Sequence, residues 1–171
     1  FEFIEYNRLS NLVVGNESLK GDYSKIAPGD CVVAFSRAEI FSIKAQIEKV
    51  TPFKCCVIYG ALPPATRSQQ ARLFNEDNTG YDILVATDAI GMGLNLNIRR
   101  IIFHSTIKKN HPMKPASYMP PMNIKQIAGR AGRLSSQYNY GEVTAWQEVD
   151  LAYVRAVMDW DIGQLSSIGI F

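Results

Sequence analysis

The sequence predicts an α/β fold: a mostly parallel sheet with helices on both faces. Three observations carry it. Short apolar runs alternate with helical patterns along the chain, the arrangement that builds βαβ units. The runs are apolar at every position, as in strands buried on both faces. Capping residues stand between run and helix, at Ser36-x-x-Glu39 and Thr66-x-x-Gln69.

Taken in order, residues 1–6 alternate around Phe1 and Phe3 and read as an entering strand. Residues 31–35 form the first continuous apolar run, after Pro28-Gly29-Asp30. Ser36 then caps a helix whose Ile40, Ile43, Ile47 and Val50 recur at helical spacing, and Thr51-Pro52 stops it. Residues 55–59 are a second strand. A helix opened by Thr66 carries Ala71, Leu73 and Phe74. Residues 83–86 and 101–103 are the third and fourth strands, the latter led in by Arg99 and Arg100. A short helix over 122–131, a fifth strand over 141–146 and a last helix bearing Leu151, Val154 and Met158 complete the pattern. Residues 106–121 hold Lys108, Lys109, Lys114 and four prolines, and read as a loop too long and basic for a plain connector.

Composition narrows the function. The 171 residues are 47% hydrophobic and suit one domain with a true core. No run approaches the roughly 18 apolar residues of a membrane span. Eighteen Lys and Arg against sixteen Asp and Glu leave a formal charge of only +2. Any nucleic acid must therefore be met by placed residues rather than bulk charge. Cys31, Cys55 and Cys56 have no metal-ligand spacing and read as buried, reduced thiols. Asn16-Glu17-Ser18 fits a glycosylation sequon, but no other feature suggests secretion. The chain opens on Phe1 and reads as an excised fragment, with residues 1–158 one domain and 159–171 the start of a truncated extension. His104 reads as a packed or capping residue, Trp146 and Trp160 as core or interface residues, and His111 as solvated.

Parallel sheets place function at the carboxyl ends of their strands. Three places lie there: Ser36-Arg37, residues 59–64 and residues 87–95. Two segments of the chain carry chemistry. Gln126, Gly129, Arg130, Gly132 and Arg133 form a Q-x-x-G-R-x-G-R string. Its two arginines, three apart, are expected on one side of a helical turn, and guanidinium forks grip polyphosphate oxygens. The second segment follows the third strand. Thr87 offers a hydroxyl and Asp88 a carboxylate, with Gly91 and Gly93 behind them for a tight turn.

Together the two segments resemble motifs VI and V of superfamily-two helicases, in their second RecA-like domain. Residues 33–37 look like motif IV. Residues 57–64, with Phe74-Asn75 and residues 88–100, make the string similar to the mitochondrial degradosome RNA helicase family, which has bacterial relatives. The resemblance covers about residues 1–160. It implies a RecA-like three-layer domain of an ATP-dependent RNA helicase acting in RNA turnover, in the mitochondrial matrix or a bacterial cytoplasm. By matching positions, Arg130 and Arg133 are arginine fingers reaching ATP on the preceding RecA-like domain, and Gln126 lies toward its terminal phosphate. Asp88 and Gly91 face the nucleotide or the interdomain seam. Thr87, Ser36, Arg37 and Gly60 meet the backbone of single-stranded RNA. The implied partners are RNA, that preceding domain and an exoribonuclease, with ATP and Mg2+ bound mainly by the preceding domain. No Gly-Lys and no Asp-Glu pair occurs, so this chain carries neither a phosphate-cradling loop nor a magnesium-binding D-E box. The competing reading is a non-catalytic nucleic-acid-binding or docking module of the same fold.

Overall fold

The computed structural model describes residues 12–91, 94–108, 117–132 and 140–160. Eight strands and four α-helices lie within them: β1 (Leu12–Val14), β2 (Asp30–Val33), α1 (Arg37–Val50), β3 (Cys55–Ile58), α2 (Pro64–Asn75), β4 (Ile83–Ala86), β5 (Arg100–Phe103), β6 (Ile107–Lys108), β7 (Ser117–Tyr118), α3 (Pro121–Ala128), β8 (Gly141–Ala145) and α4 (Glu148–Asp159). Six strands form one sheet in the order β1-β8-β5-β2-β4-β3, and every neighbouring pair is parallel. The expected α/β class holds.

Strand side chains alternate between two cores. On one face Val32, Ala34, Cys55, Val57, Ile83, Val85 and Ile102 pack with Ile40, Ile43 and Ile47 of α1. On the other, Cys31, Val33, Cys56, Ile58, Leu84, Ala86, Ile101 and Phe103 meet Phe74 of α2, Ile124 and Ile127 of α3, and Leu151 and Val154 of α4. Strands β2, β3, β4 and β5 are therefore apolar at nearly every position, because each position faces one core or the other. The three cysteines are free and buried. Burial pushes the Cys55 and Cys56 thiols up to about 12 and Cys31 higher still, so all three stay protonated.

Several elements depart from the sequence reading. Ser36 caps α1 as expected: Glu39 N donates to its Oγ at 3.2 Å, while Phe35 N donates to Glu39 Oε1 at 3.2 Å. Thr66 caps nothing. Pro63 occupies the N-cap position of α2 and Pro64 its first turn, where a missing N–H costs no helical bond, so the helix begins before Thr66. Val50 is exposed rather than on the buried face of α1. The helix expected over 122–131 is Pro121–Ala128. The supposed loop 106–121 is partly regular, since β6 and β7 pair antiparallel as the legs of a hairpin. Edge strand β1 escaped the sequence reading, and the strand expected over residues 1–6 lies outside the described residues.

At the amino end of the sheet, the fully buried Asp30 receives Arg99 Nη2 at 2.7 Å and Arg100 Nη2 at 2.7 Å. His104 closes the opposite end of β5 by stacking on Trp146, whose other neighbour is Tyr23. Burial holds the His104 imidazole below its ordinary pKa and favours the neutral ring. The packing roles expected for His104 and Trp146 hold, whereas Trp160 is exposed. No helix among the described residues is long and apolar enough to cross a membrane.

Candidate functional site

Three adjacent strands, β2, β4 and β3, end side by side at the carboxyl edge. Neighbouring strands lie about 4.8 Å apart, so whatever follows them is brought close together. Ser36 and Arg37 follow β2, Thr87 and Asp88 follow β4, and Tyr59 and Gly60 follow β3. The ladder continues past the strand ends: Ala34 N donates to Ala86 O at 2.9 Å, and Thr87 N donates to Ile58 O at 3.1 Å. Thr87 is thus fixed between its neighbours and is 9% exposed.

Each expected nucleic-acid residue has a definite setting. The Ser36 hydroxyl is taken up by the α1 cap. Arg37 is exposed, and its guanidinium lies 5.4 Å from the Tyr59 ring centroid. Phe41, one helical turn on, meets the same ring edge-on at 6.1 Å. Gly60 is exposed, and a Cβ there would meet nothing within 4 Å, so backbone at this turn is open to a ligand. Arg67 Nη2 pins the turn from below by donating to Gly60 O at 2.8 Å and Leu62 O at 3.1 Å.

Beyond Thr87 the chain makes a 3-10 turn, Asp88–Gly91, with Asp88 exposed. Ile90, fully buried, joins the core that holds Ile124 and Ile127 of α3, so this turn and α3 pack on one another. Gln126 is exposed on α3. The helix ends at Ala128, and Arg130 sits in the following turn with its N–H on Ile127 O at 3.0 Å. Arg130 therefore lies beyond the helix, in the turn that follows it. Arg130 is half-buried, and its Nη2 donates to the Leu94 carbonyl. Two backbones cross immediately afterwards. Gly132 has φ +62°, and a Cβ on it would stand 2.0 Å from Gly141 N. A Cβ on Gly141 would reach Ala131 C at 2.5 Å. Only glycine fits either position. Arg133 lies outside the described residues.

The structure thus gathers Ser36, Arg37, Gly60, Thr87 and Asp88 at one edge and packs the Asp88–Gly91 turn against the helix bearing Gln126. Sequence reading gave no role to Arg67, nor to Asn75, which entered only with Phe74 as part of the family string. Asn75 ends α2; its Nδ2 donates to Asn95 O at 2.7 Å, and its Oδ1 accepts from Asn97 N at 2.8 Å. Both side chains grip backbone, a role that residue type alone does not signal. Among the described residues no group of three or more His, Cys, Asp or Glu could hold a metal ion.

A parallel sheet with these segments at its carboxyl edge has a RecA-like fold. The chain belongs to the Helicase conserved C-terminal domain family, which matches residues 10–135. It is 50% identical over 171 residues to the ATP-dependent RNA helicase SUV3L, mitochondrial, of Oryza sativa subsp. japonica, covering 99% of this chain and 23% of that protein. It is 42% identical over 172 residues to the ATP-dependent RNA helicase SUPV3L1, mitochondrial, of Homo sapiens, covering 99% of this chain and 22% of that one. The chain therefore spans under a quarter of the length of these curated relatives. Among solved structures, S. cerevisiae Dbp5 bound to RNA and ADP BeF3 superposes with a TM-score of 0.58 at 11% identity, over 86% of this chain and 39% of that one. That likeness shows the fold.

Proposed function

We propose that this chain is the second RecA-like domain of a mitochondrial ATP-dependent RNA helicase acting in RNA turnover, with an exoribonuclease as partner. The observation that carries the reading is the 50% identity, across 99% of the chain, to a protein named as a mitochondrial ATP-dependent RNA helicase. The juxtaposition of the Thr87 turn, the Gly60 turn and α3 at one edge supports it. ATP sits between this domain and the preceding one, which holds its Mg2+. Arg130 and Arg133 neutralise charge on the phosphoryl group, Gln126 approaches the terminal phosphate, and Asp88 and Gly91 line the seam. Arg37, Thr87 and the open backbone at Gly60, with Ser36 beside them, follow the RNA backbone. Arg130 fits this role in one visible respect: a half-buried guanidinium braced on the Leu94 carbonyl is already oriented, so little rotamer freedom remains to be lost.

The test uses the full-length protein. Arg133→Ala should lower RNA-stimulated ATP turnover by about 10³-fold or more, the scale of a finger's contribution to phosphoryl transfer. RNA affinity without nucleotide should stay near wild type. Thr87→Val deletes a hydroxyl at constant shape and should weaken RNA stimulation more than basal hydrolysis. Equal loss of RNA affinity in both variants, with hydrolysis spared, would assign Arg133 to RNA and favour a docking module.

A further inference from the structure

Helix α2 touches both halves of the proposed site without belonging to either. Near its start, Arg67 holds the carbonyls of Gly60 and Leu62, in the turn proposed to meet RNA. At its end, Asn75 closes a two-bond latch on the backbone of Asn95 and Asn97. One residue before that latch, the Leu94 carbonyl receives the guanidinium of Arg130, the proposed finger. Arg67 to Asn75 is eight residues, or about 12 Å of helix at 1.5 Å per residue. Between the two grips the helix is anchored to the sheet by buried Ala71 and Phe74. A short helix held at both ends by side-chain hydrogen bonds moves as a unit, whereas the two turns it holds are separate loops.

We infer that α2 is the mechanical link between the RNA-facing turn and the finger, and that Arg67 and Asn75 are its positioning residues. Displacing the Gly60 turn shifts Arg67 and the helix. Asn75 then carries the shift to residues 95–97, and Leu94 passes it to Arg130. The bonds at Asn75 are what make this specific. A planar amide that donates to one peptide and accepts from another two residues away fixes both the position and the tilt of that segment. The inference rests on the function proposed above, since it assigns a route between that function's two sites.

The experiment takes the full-length protein and measures ATP turnover with and without single-stranded RNA, together with RNA affinity, for Asn75→Ala, Arg67→Met and the double variant. Asn75→Ala should lower the ratio of RNA-stimulated to basal turnover by about 5-fold or more, the lower range of site-to-site coupling. RNA affinity without nucleotide should remain within about twofold, because Asn75 lies at the far end of α2; a merely structural role would not separate these readouts. The double variant should lose no more stimulation than the worse single one, as for two links in series. Asn75→Asp keeps the acceptor for Asn97 but turns the donor to Asn95 O into a second acceptor, so it should lose at least as much stimulation as Asn75→Ala, and it serves if the alanine variant folds poorly. A wild-type ratio in Asn75→Asp and Asn75→Ala, or losses that multiply in the double variant, would overturn the link. A parent protein whose turnover ignores RNA would instead sink the proposed function itself.

Discussion

Asp30 shows how much one side chain can organise. Its carboxylate is fully buried, accepts from Ala27 N at 2.8 Å, and faces two guanidinium groups. Arg100 is further flanked by Glu142, at 3.9 Å. The cluster ties the starts of β2, β5 and β8 together at the end of the sheet away from the proposed site. Removing the acid leaves two cations side by side, one of them 13% exposed. Breaking a buried pair in this way costs about 3–5 kcal/mol. Arg99, 31% exposed, is partly hydrated, which places Asp30→Asn near the lower end, about 3 kcal/mol. Urea unfolding checks this; a loss under about 1 kcal/mol would show that the arginines relax into water. From sequence, Asp30 was only the end of a turn before a strand. Its weight comes from partners 69 and 70 residues away.

At the scale of elements, legibility followed range. The cap of α1 was readable because Ser36 and Glu39 complete it within one turn. The cap of α2 was misread because Pro63 and Pro64 start that helix by backbone geometry, which outranks a Thr-x-x-Gln pattern two residues later. Strand β1 was unreadable because three residues carry too little pattern and its partner β8 comes more than a hundred residues later. The other edge strand, β3, shows a device that sequence hides. Its Cys55 and Val57 N–H groups donate to Glu48 Oε2 at 2.8 Å and Gln70 Oε1 at 3.0 Å, from the helices on either side. Side chains thus fill the positions where another strand would pair. Gln70→Ala should cost about 1 kcal/mol, since water replaces the amide. Glu48→Ala with Gln70→Ala should expose a continuous edge and raise self-association on mild heating, read by light scattering. A double variant that stays monomeric while destabilised would show that the helices alone protect the edge.

For the whole molecule, the proposed site was readable as two motifs, but not the scaffold that joins them. Thr87, Asp88, Gln126 and Arg130 are chemically distinctive types in fixed spacing. Arg67 and Asn75 work through carbonyls and amides that every residue has. Placed contacts also set what this domain does with RNA by itself. The net charge is +2, so there is no general field to hold a polyanion. Of the candidate contacts, Arg37 alone combines exposure with positive charge; Thr87 and Gly60 offer neutral groups, and the Ser36 hydroxyl is occupied by its cap. Neutral donors hold phosphates without displacing as many counterions. The isolated chain should therefore bind single-stranded RNA weakly, with a log–log salt dependence equivalent to about one or two neutralised phosphates at ~0.7 each. Arg37→Ala should lower that slope by about one phosphate's share, and Arg37→Lys should restore it, since counterion release counts charge rather than shape. Fluorescence anisotropy across a salt series measures both. A steep slope unaffected by Arg37 would place the RNA on another surface. Tight binding that survives high salt would mean base stacking, with the Tyr59 and Phe41 rings the nearest platform.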